Sequence, residues 1–177
     1  MPRTGPRGGT ISRVDVVIEA TTGGDPALPA LVAAQEQEVM DRYGVDDAGP
    51  RPAPDAAWFV ARLAGRPVGC VALGSLGDGV GEVERMYVDP AARGRGVARL
   101  LLQRLEEEAA ARGDRLLRLE TGTAQPEALR LYRGAGWREI PCYGYFRDDP
   151  TTICLEKATG WVTPGSAPAA PPGTIDP

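Results

Sequence analysis

Between residues 93 and 98 the chain runs Arg93-Gly94-Arg95-Gly96-Val97-Ala98, two glycines set between and after two arginines. Residues of these types at this spacing suit a phosphate or pyrophosphate. Glycine lets the backbone approach a bulky anion, and Arg93 and Arg95 add full charges. If a helix opens at Val97, its first N–H groups have no partner within the helix, and its partly positive end favours an anion. The spacing matches neither the GxxxxGK[ST] phosphate loop nor the GxGxxG dinucleotide turn. A second set of candidates lies just upstream. Glu82 and Glu84 are two residues apart, so on a strand both face the same side. Two carboxylates near one site can hold a cationic amine and raise each other's pKa toward that of a useful base.

These residues need a strand, a turn and a helix to hold them. Residues 82–88 alternate as a strand does, and Val97 to Arg112 is an amphipathic helix burying Ala98, Leu101, Leu102, Leu105 and Ala109, closed by Gly113. Upstream, Val14 to Glu19 forms a strand and Thr21 to Gly24 a turn. A helix from Pro26 to Tyr43, capped by Asp25, then buries Leu28, Leu31, Val32 and Val39 and is closed by Gly44. An extended connection, Gly49 to Pro54, leads to two strands, Trp58 to Leu63 and Pro67 to Leu73, and Gly77-Asp78-Gly79 turns into the strand ending at Val88. Beyond the second helix, Arg115 to Glu120 is a strand that the crossover makes parallel to the one before the turn. A short strand to Pro141, an aromatic loop with Tyr143, Tyr145 and Phe146, and a last strand from Thr152 to Glu156 follow. The expected class is α/β, with a mixed, mostly antiparallel central sheet flanked by helices.

The turn resembles the [QR]-x-x-G-x-[GA] signature of the GCN5-related N-acetyltransferases (GNAT), and Tyr87-Val88-Asp89-Pro90 before it resembles the end of that family's fourth strand. A second similarity follows about 35 residues on: Leu119-Glu120-Thr121, then Gln125 to Tyr132, then Gly134-Ala135-Gly136-Trp137. Gln125 stands where the family usually has Asn. The resemblance covers roughly Val14 to Lys157 and implies an acetyltransferase that uses acetyl-CoA as cosubstrate. It implies that the pantetheine arm lies between two splayed strands, here Met86, Tyr87 and Val88 against Leu119 to Thr121. A backbone N–H near Tyr87 or Val88 would meet the thioester oxygen as charge develops. The pyrophosphate would sit on Arg93 to Ala98, with Thr121, Gln125, Ala128 and Tyr132 completing the donor site. Tyr132 corresponds to the tyrosine that protonates the departing sulfur, and Glu82 to the glutamate that some members use, usually through water, to deprotonate the amine. Glu84 is its second contributor. The implied reaction is direct attack of a primary amine on the thioester. The alternative is a non-catalytic acyl-CoA-binding sensor or partner module of the same fold, against which Tyr132 and Glu82 weigh, since a pure binder needs neither.

Composition narrows the rest. With 177 residues and 42% hydrophobic content the chain has room for one domain with a substantial core. It contains no histidine, so acid–base chemistry falls to carboxylates, tyrosine, cysteine, the one lysine (Lys157) or the substrate. Three widely spaced cysteines, Cys70, Cys142 and Cys154, argue against a disulfide framework and, without histidine, against a zinc site. Cys70 is expected in the core. Cys142 lies beside the aromatic loop but lacks a histidine to activate it as a nucleophile. The net charge of −4 gives no nucleic-acid footprint, and no unbroken apolar stretch suits a membrane span. Residues 1–13 lack a signal-peptide pattern and are expected to be disordered, 14–157 to form the domain, and 158–177 to be a proline-rich tail in which Trp161 is the one candidate for docking. The implied setting is a cytoplasmic monomer or homodimer acting on a small amine or a peptide amine. The acids Glu36, Glu38, Asp41, Asp46, Asp47 and Asp55 suggest an electronegative acceptor wall that would concentrate cationic acceptors.

Overall fold

A computed structural model describes residues 16–160. The expectations for residues 1–13, and for the tail beyond residue 160 including Trp161, lie outside the described residues. The elements run β1 (Val16–Thr21), α1 (Leu28–Tyr43), β2 (Ala57–Leu63), β3 (Arg66–Gly77), β4 (Val80–Val88), α2 (Val97–Ala111), β5 (Leu116–Gly122), α3 (Pro126–Gly134), β6 (Arg138–Ile140) and β7 (Thr152–Ala158). They form one seven-stranded sheet in the order β1-β2-β3-β4-β5-β7-β6. Only β4 and β5 pair in parallel; every other neighbouring pair is antiparallel. The mixed α/β reading therefore holds.

Helices cover both faces. On one face Leu28 and Leu31 of α1 pack with Trp58, Val60, Cys70 and Ala72 of the central strands. On the other, Leu101, Leu102, Leu105 and Ala109 of α2 pack with Phe59, Val71, Leu73, Leu117 and Leu119, joined by Leu129 and Tyr132 of α3. This double cover explains why β2 and β3 are apolar on both faces and lack the clean alternation of a half-exposed strand. Each fully buried leucine contributes about 1.5–3 kcal/mol of apolar burial, so the sheet is a stiff platform beneath the turn.

Three details depart from expectation. The first helix opens at Leu28 rather than Pro26, because Asp25 spends its caps on a preceding turn: its carboxylate accepts from Ala27 N at 2.8 Å and its carbonyl from Leu28 N at 3.1 Å. β7 continues to Ala158, which pairs with Leu116, so the first residue assigned to the tail belongs to the sheet. The expectation against disulfides is corrected: Cys142 is bonded to Cys154, with a Cα–Cα separation of 5.0 Å. Their pairing depends on the β6–β7 register, in which Ile140, two residues before Cys142, lies opposite Cys154. Cys70 is fully buried, as expected of a core residue. No helix among the described residues is long and apolar enough to cross a membrane.

Candidate active site

Pairing between β4 and β5 runs from Val80↔Leu116 to Val83↔Leu119, and the two strands then part. The cause lies at Arg85. Between Ala72↔Glu84 and Cys70↔Tyr87 the register with β3 slips, and Arg85 takes a left-handed φ of 51°, a bulge that bends β4 away from β5. A non-glycine residue in that region is strained, and here the strain is held by the side chain. The Arg85 guanidinium donates to the carbonyls of Pro50 at 2.7 Å and Gly49 at 3.4 Å and pairs with Glu36, tying the bulge to the proline-rich connection.

The parted strands open into a cleft of ≈ 930 Å³. Its walls include Met86, Tyr87 and Val88 of β4, Thr121 of β5, Gln125 just before α3, and Ala128 and Tyr132 of α3, with Gly94 and Gly96 of the turn and Val97 and Ala98 at the start of α2. Glu82 and Glu84 lie in the same cleft. The strand end, the turn and two helices thus bring the expected residues together. Arg95 is the exception: it is exposed and does not line the cleft. Arg93 lines it but is occupied, donating to Val88 O at 2.8 Å and pairing with Glu38 at 2.5 Å. Its guanidinium clamps the turn to α1. Gly94 and Gly96 have φ of 75° and 81°, and Gly96 caps α2, so the turn leads directly into the first N–H groups of the helix, which have no intrahelical partner. A Cβ at Gly94 would meet nothing within 4 Å, which leaves that approach open.

The other wall is set by α1. No Cβ would fit at Gly122, because the Tyr43 phenol packs against it; Tyr43 Oη also accepts from Ala124 N at 3.1 Å. Arg42 pairs with Glu127 and Glu38. The end of α1 therefore fixes the β5–α3 turn that carries Thr121 and Gln125.

Tyr132 is 5% exposed, with its ring 5.7 Å from that of Trp137. Trp137 in turn donates to Glu106 at 3.1 Å. Burial pushes the Tyr132 phenol well above its ordinary value, so it stays protonated and has a proton to donate.

Two of the six acids expected to form the acceptor wall are held in ion pairs, Glu36 with Arg85 and Glu38 with Arg42 and Arg93. Carboxylates also gather on the sheet floor. Glu82 and Glu84 face one side, and a Cβ at Gly74 would lie 2.6 Å from Glu84 Oε2, so this glycine makes room for the carboxylate. They are joined by Glu120 of β5 and by Tyr143, two residues that the sequence reading did not assign to the site. Both sit in segments it had identified. What was missing was the β4–β5 register, which sets Glu82 opposite Arg118 and brings Glu120 to the point where the strands part. Burial first, then the charge on Glu82, pushes Glu84 up to about 7. The same causes, with Glu84 added, push Glu120 up to about 7. Burial raises Glu82 too, against the pull of a hydrogen bond from Tyr143.

These shifts carry a stability signature. An unfolded Glu120 ionises near 4.5 and the folded one near 7, so between those pH values the folded state holds the extra proton and stability falls as pH rises. Glu120→Gln is accordingly expected to leave the melting temperature unchanged near pH 5 and to raise it near pH 8. The gain is about 1 kcal/mol once solvent screening is allowed for, or roughly 2–4 °C. Scanning calorimetry at the two pH values checks it, and an equal effect at both would reject the buried-carboxylate account.

Among the described residues no group of three or more His, Cys, Asp or Glu could hold a metal ion. The family model for the acetyltransferase (GNAT) family matches residues 27–137. An IAA acetyltransferase of Azospirillum brasilense is 37% identical over 145 residues, 81% of this chain and 90% of that protein. A solved structure from Klebsiella pneumoniae, assigned as an acyl-CoA N-acyltransferase, superposes with a TM-score of 0.70 at 31% identity, covering 81% of this chain and 97% of that one. A GNAT-family acetyltransferase from Elizabethkingia anophelis, solved with acetyl-CoA bound, shares the fold at a TM-score of 0.63 and 19% identity, over 81% and 98% of the two chains. The matched region spans both halves of the cleft, from the first turn of α1 to Trp137, and on that basis the chain belongs to the GNAT acetyltransferase family.

Proposed function

We propose that this protein transfers an acetyl group from acetyl-CoA to a primary amine by direct attack within a ternary complex. The observation that carries the reading is that the seam between β4 and β5 opens onto the carboxylate floor within one cleft, so a thioester and an amine can meet there. In this reading the pyrophosphate lies on the N–H groups from Gly94 to Ala98, and Met86, Tyr87, Val88, Thr121, Gln125 and Ala128 flank the pantetheine arm. Glu82, with Glu84 beside it, takes the ammonium proton directly or through water. The free amine then attacks the thioester carbonyl, a backbone N–H near Tyr87 or Val88 meets the developing oxyanion, and Tyr132 donates its proton to the departing thiolate. A route through an acyl-cysteine has little support. Cys70 lies in the core with its thiol pushed up to about 12 by burial, and Cys142 is bonded to Cys154.

CoA-thiol release with a panel of acceptors tests the reading: a polyamine, an arylalkylamine, glutamate and, because the Azospirillum relative is named an IAA acetyltransferase, IAA. The carboxylate floor favours cationic acceptors. The polyamine rate is expected to exceed the glutamate rate and to fall roughly tenfold between low and high salt. Preference for glutamate, or a salt-insensitive polyamine rate, would reject the cationic acceptor. Release no faster than hydrolysis with every amine would leave the acyl-CoA-binding module as the function.

A further inference from the structure

We propose that Tyr143 is a positioning residue for this chemistry: its hydroxyl fixes the Glu82 carboxylate from a loop tethered by the Cys142–Cys154 disulfide, so that opening the disulfide loosens the acid–base apparatus. The inference rests on the functional reading above. Its geometry is independent of the acceptor.

Tyr143 Oη donates to Glu82 Oε1 at 3.1 Å. Among the described residues this is the one side-chain hydrogen bond to the carboxylate of Glu82, Glu84 or Glu120, and Glu120 Oε1 is buried without a partner. Tyr143 is held from two sides. The Arg118 guanidinium lies 5.7 Å from its ring centroid and is itself anchored by Glu156 at 2.9 Å. The residue before it, Cys142, is bonded to Cys154, which pairs directly with Glu120 across β5 and β7. The tether thus ends beside the carboxylates it serves. Burial and the Glu82 charge push the Tyr143 phenol far above its ordinary value, so it acts as a donor throughout the working pH range.

The groups around Glu82 are Glu84 on its own strand, Glu120 and Arg118 on β5, and Tyr143 on the loop; Glu84 also feels Arg85, and Tyr43 of α1 lines the same cleft. With like charges this close, a donor to one anion sets the ionisation of all three. Removing it raises the total proton affinity of the cluster, and the acidic limb of activity moves to higher pH.

A dithiol reductant opens the tether by thiolate attack on one sulfur. The S–S bond breaks, two electrons and two protons pass to Cys142 and Cys154, and the reductant closes its own disulfide.

The test uses Tyr143→Phe, which keeps the ring and removes the donor. In protein carrying 13C-labelled glutamate carboxyls, the Glu82 titration is expected to move up by about one pH unit, the size of a hydrogen bond to a charged group. The acidic limb of kcat/KM for the amine, read by chromatography of the acetylated product, moves the same way. Reductant moves the wild-type limb part of that distance, Cys142→Ser reproduces this, and neither effect survives in Tyr143→Phe. An unmoved carboxylate titration, or a reductant shift equal in wild type and Tyr143→Phe, overturns the inference. Absence of turnover with every amine sinks the functional reading instead, and the carboxylate titration still judges the coupling of Tyr143 to Glu82.

Discussion

Gly96→Glu is expected to weaken CoA binding on the order of 100-fold or more while leaving the fold standing. Gly96 has φ 81°, a conformation that side chains rarely adopt, and it caps the N-terminus of α2 at the mouth of the cleft. The substitution does two separate things: it strains the backbone, and it sets a carboxylate where the first-turn N–H groups would meet a pyrophosphate, so that two anions compete for one partly positive helix end. Gly96→Ala separates them, since it strains without adding charge. Titration calorimetry with CoA is therefore expected to rank wild type above Gly96→Ala and Gly96→Ala well above Gly96→Glu, with the last gap narrowing in salt. Equal affinity in all three would end the assignment of the turn as an anion cradle.

Tyr132→Phe is expected to lower kcat about 10²–10⁴-fold with little change in the KM for acetyl-CoA, the range for a general acid and the pattern of a group acting in the transition state. The substitution is clean because most of what Tyr132 does for the fold is done by its ring, which packs beside Trp137 and in the core with Leu129. Stability should change little. Solvent cannot easily replace the lost proton, since the residue is 5% exposed. Steady-state kinetics with the acceptor found in the panel decides it. A kcat within about twofold of wild type would reduce Tyr132 to a packing residue.

The segments that carry these two substitutions were legible in the sequence because each is contiguous. The glycine turn and the helix behind it are contiguous segments that local pattern places, and the segment from Gln125 to Tyr132 is identified by its resemblance to the family. Glu82 and Glu84 share a face by alternation alone, which the bulge at Arg85 does not disturb because it follows them. The unread residues depend on long-range partners. Glu120 joins the floor only through the register of β5 on β4, and Tyr143 only through a loop returning 61 residues later in sequence to Glu82. Cysteine counting failed for the same reason: an odd total says nothing about which two lie on adjoining chain segments. Arg93, taken as a phosphate ligand, shows another limit. Its type and position fit an anion, but the anion nearest to it in the fold is Glu38, presented from a helix 55 residues away.

The parting of β4 from β5 beyond Val83 and Leu119 also bears on how much of this protein a cell can keep. A sheet whose middle is unzipped holds an internal edge, and on the proposed function a thioester donor filling it would complete the ladder and stabilise only the native state. By mass action, donor at about 100 times its dissociation constant adds about 2.7 kcal/mol, a large fraction of the margin by which an ordinary domain stays folded. If the proposed function holds, the lifetime of the polypeptide would follow the supply of its donor, the open seam being more prone to unfolding when the donor is scarce.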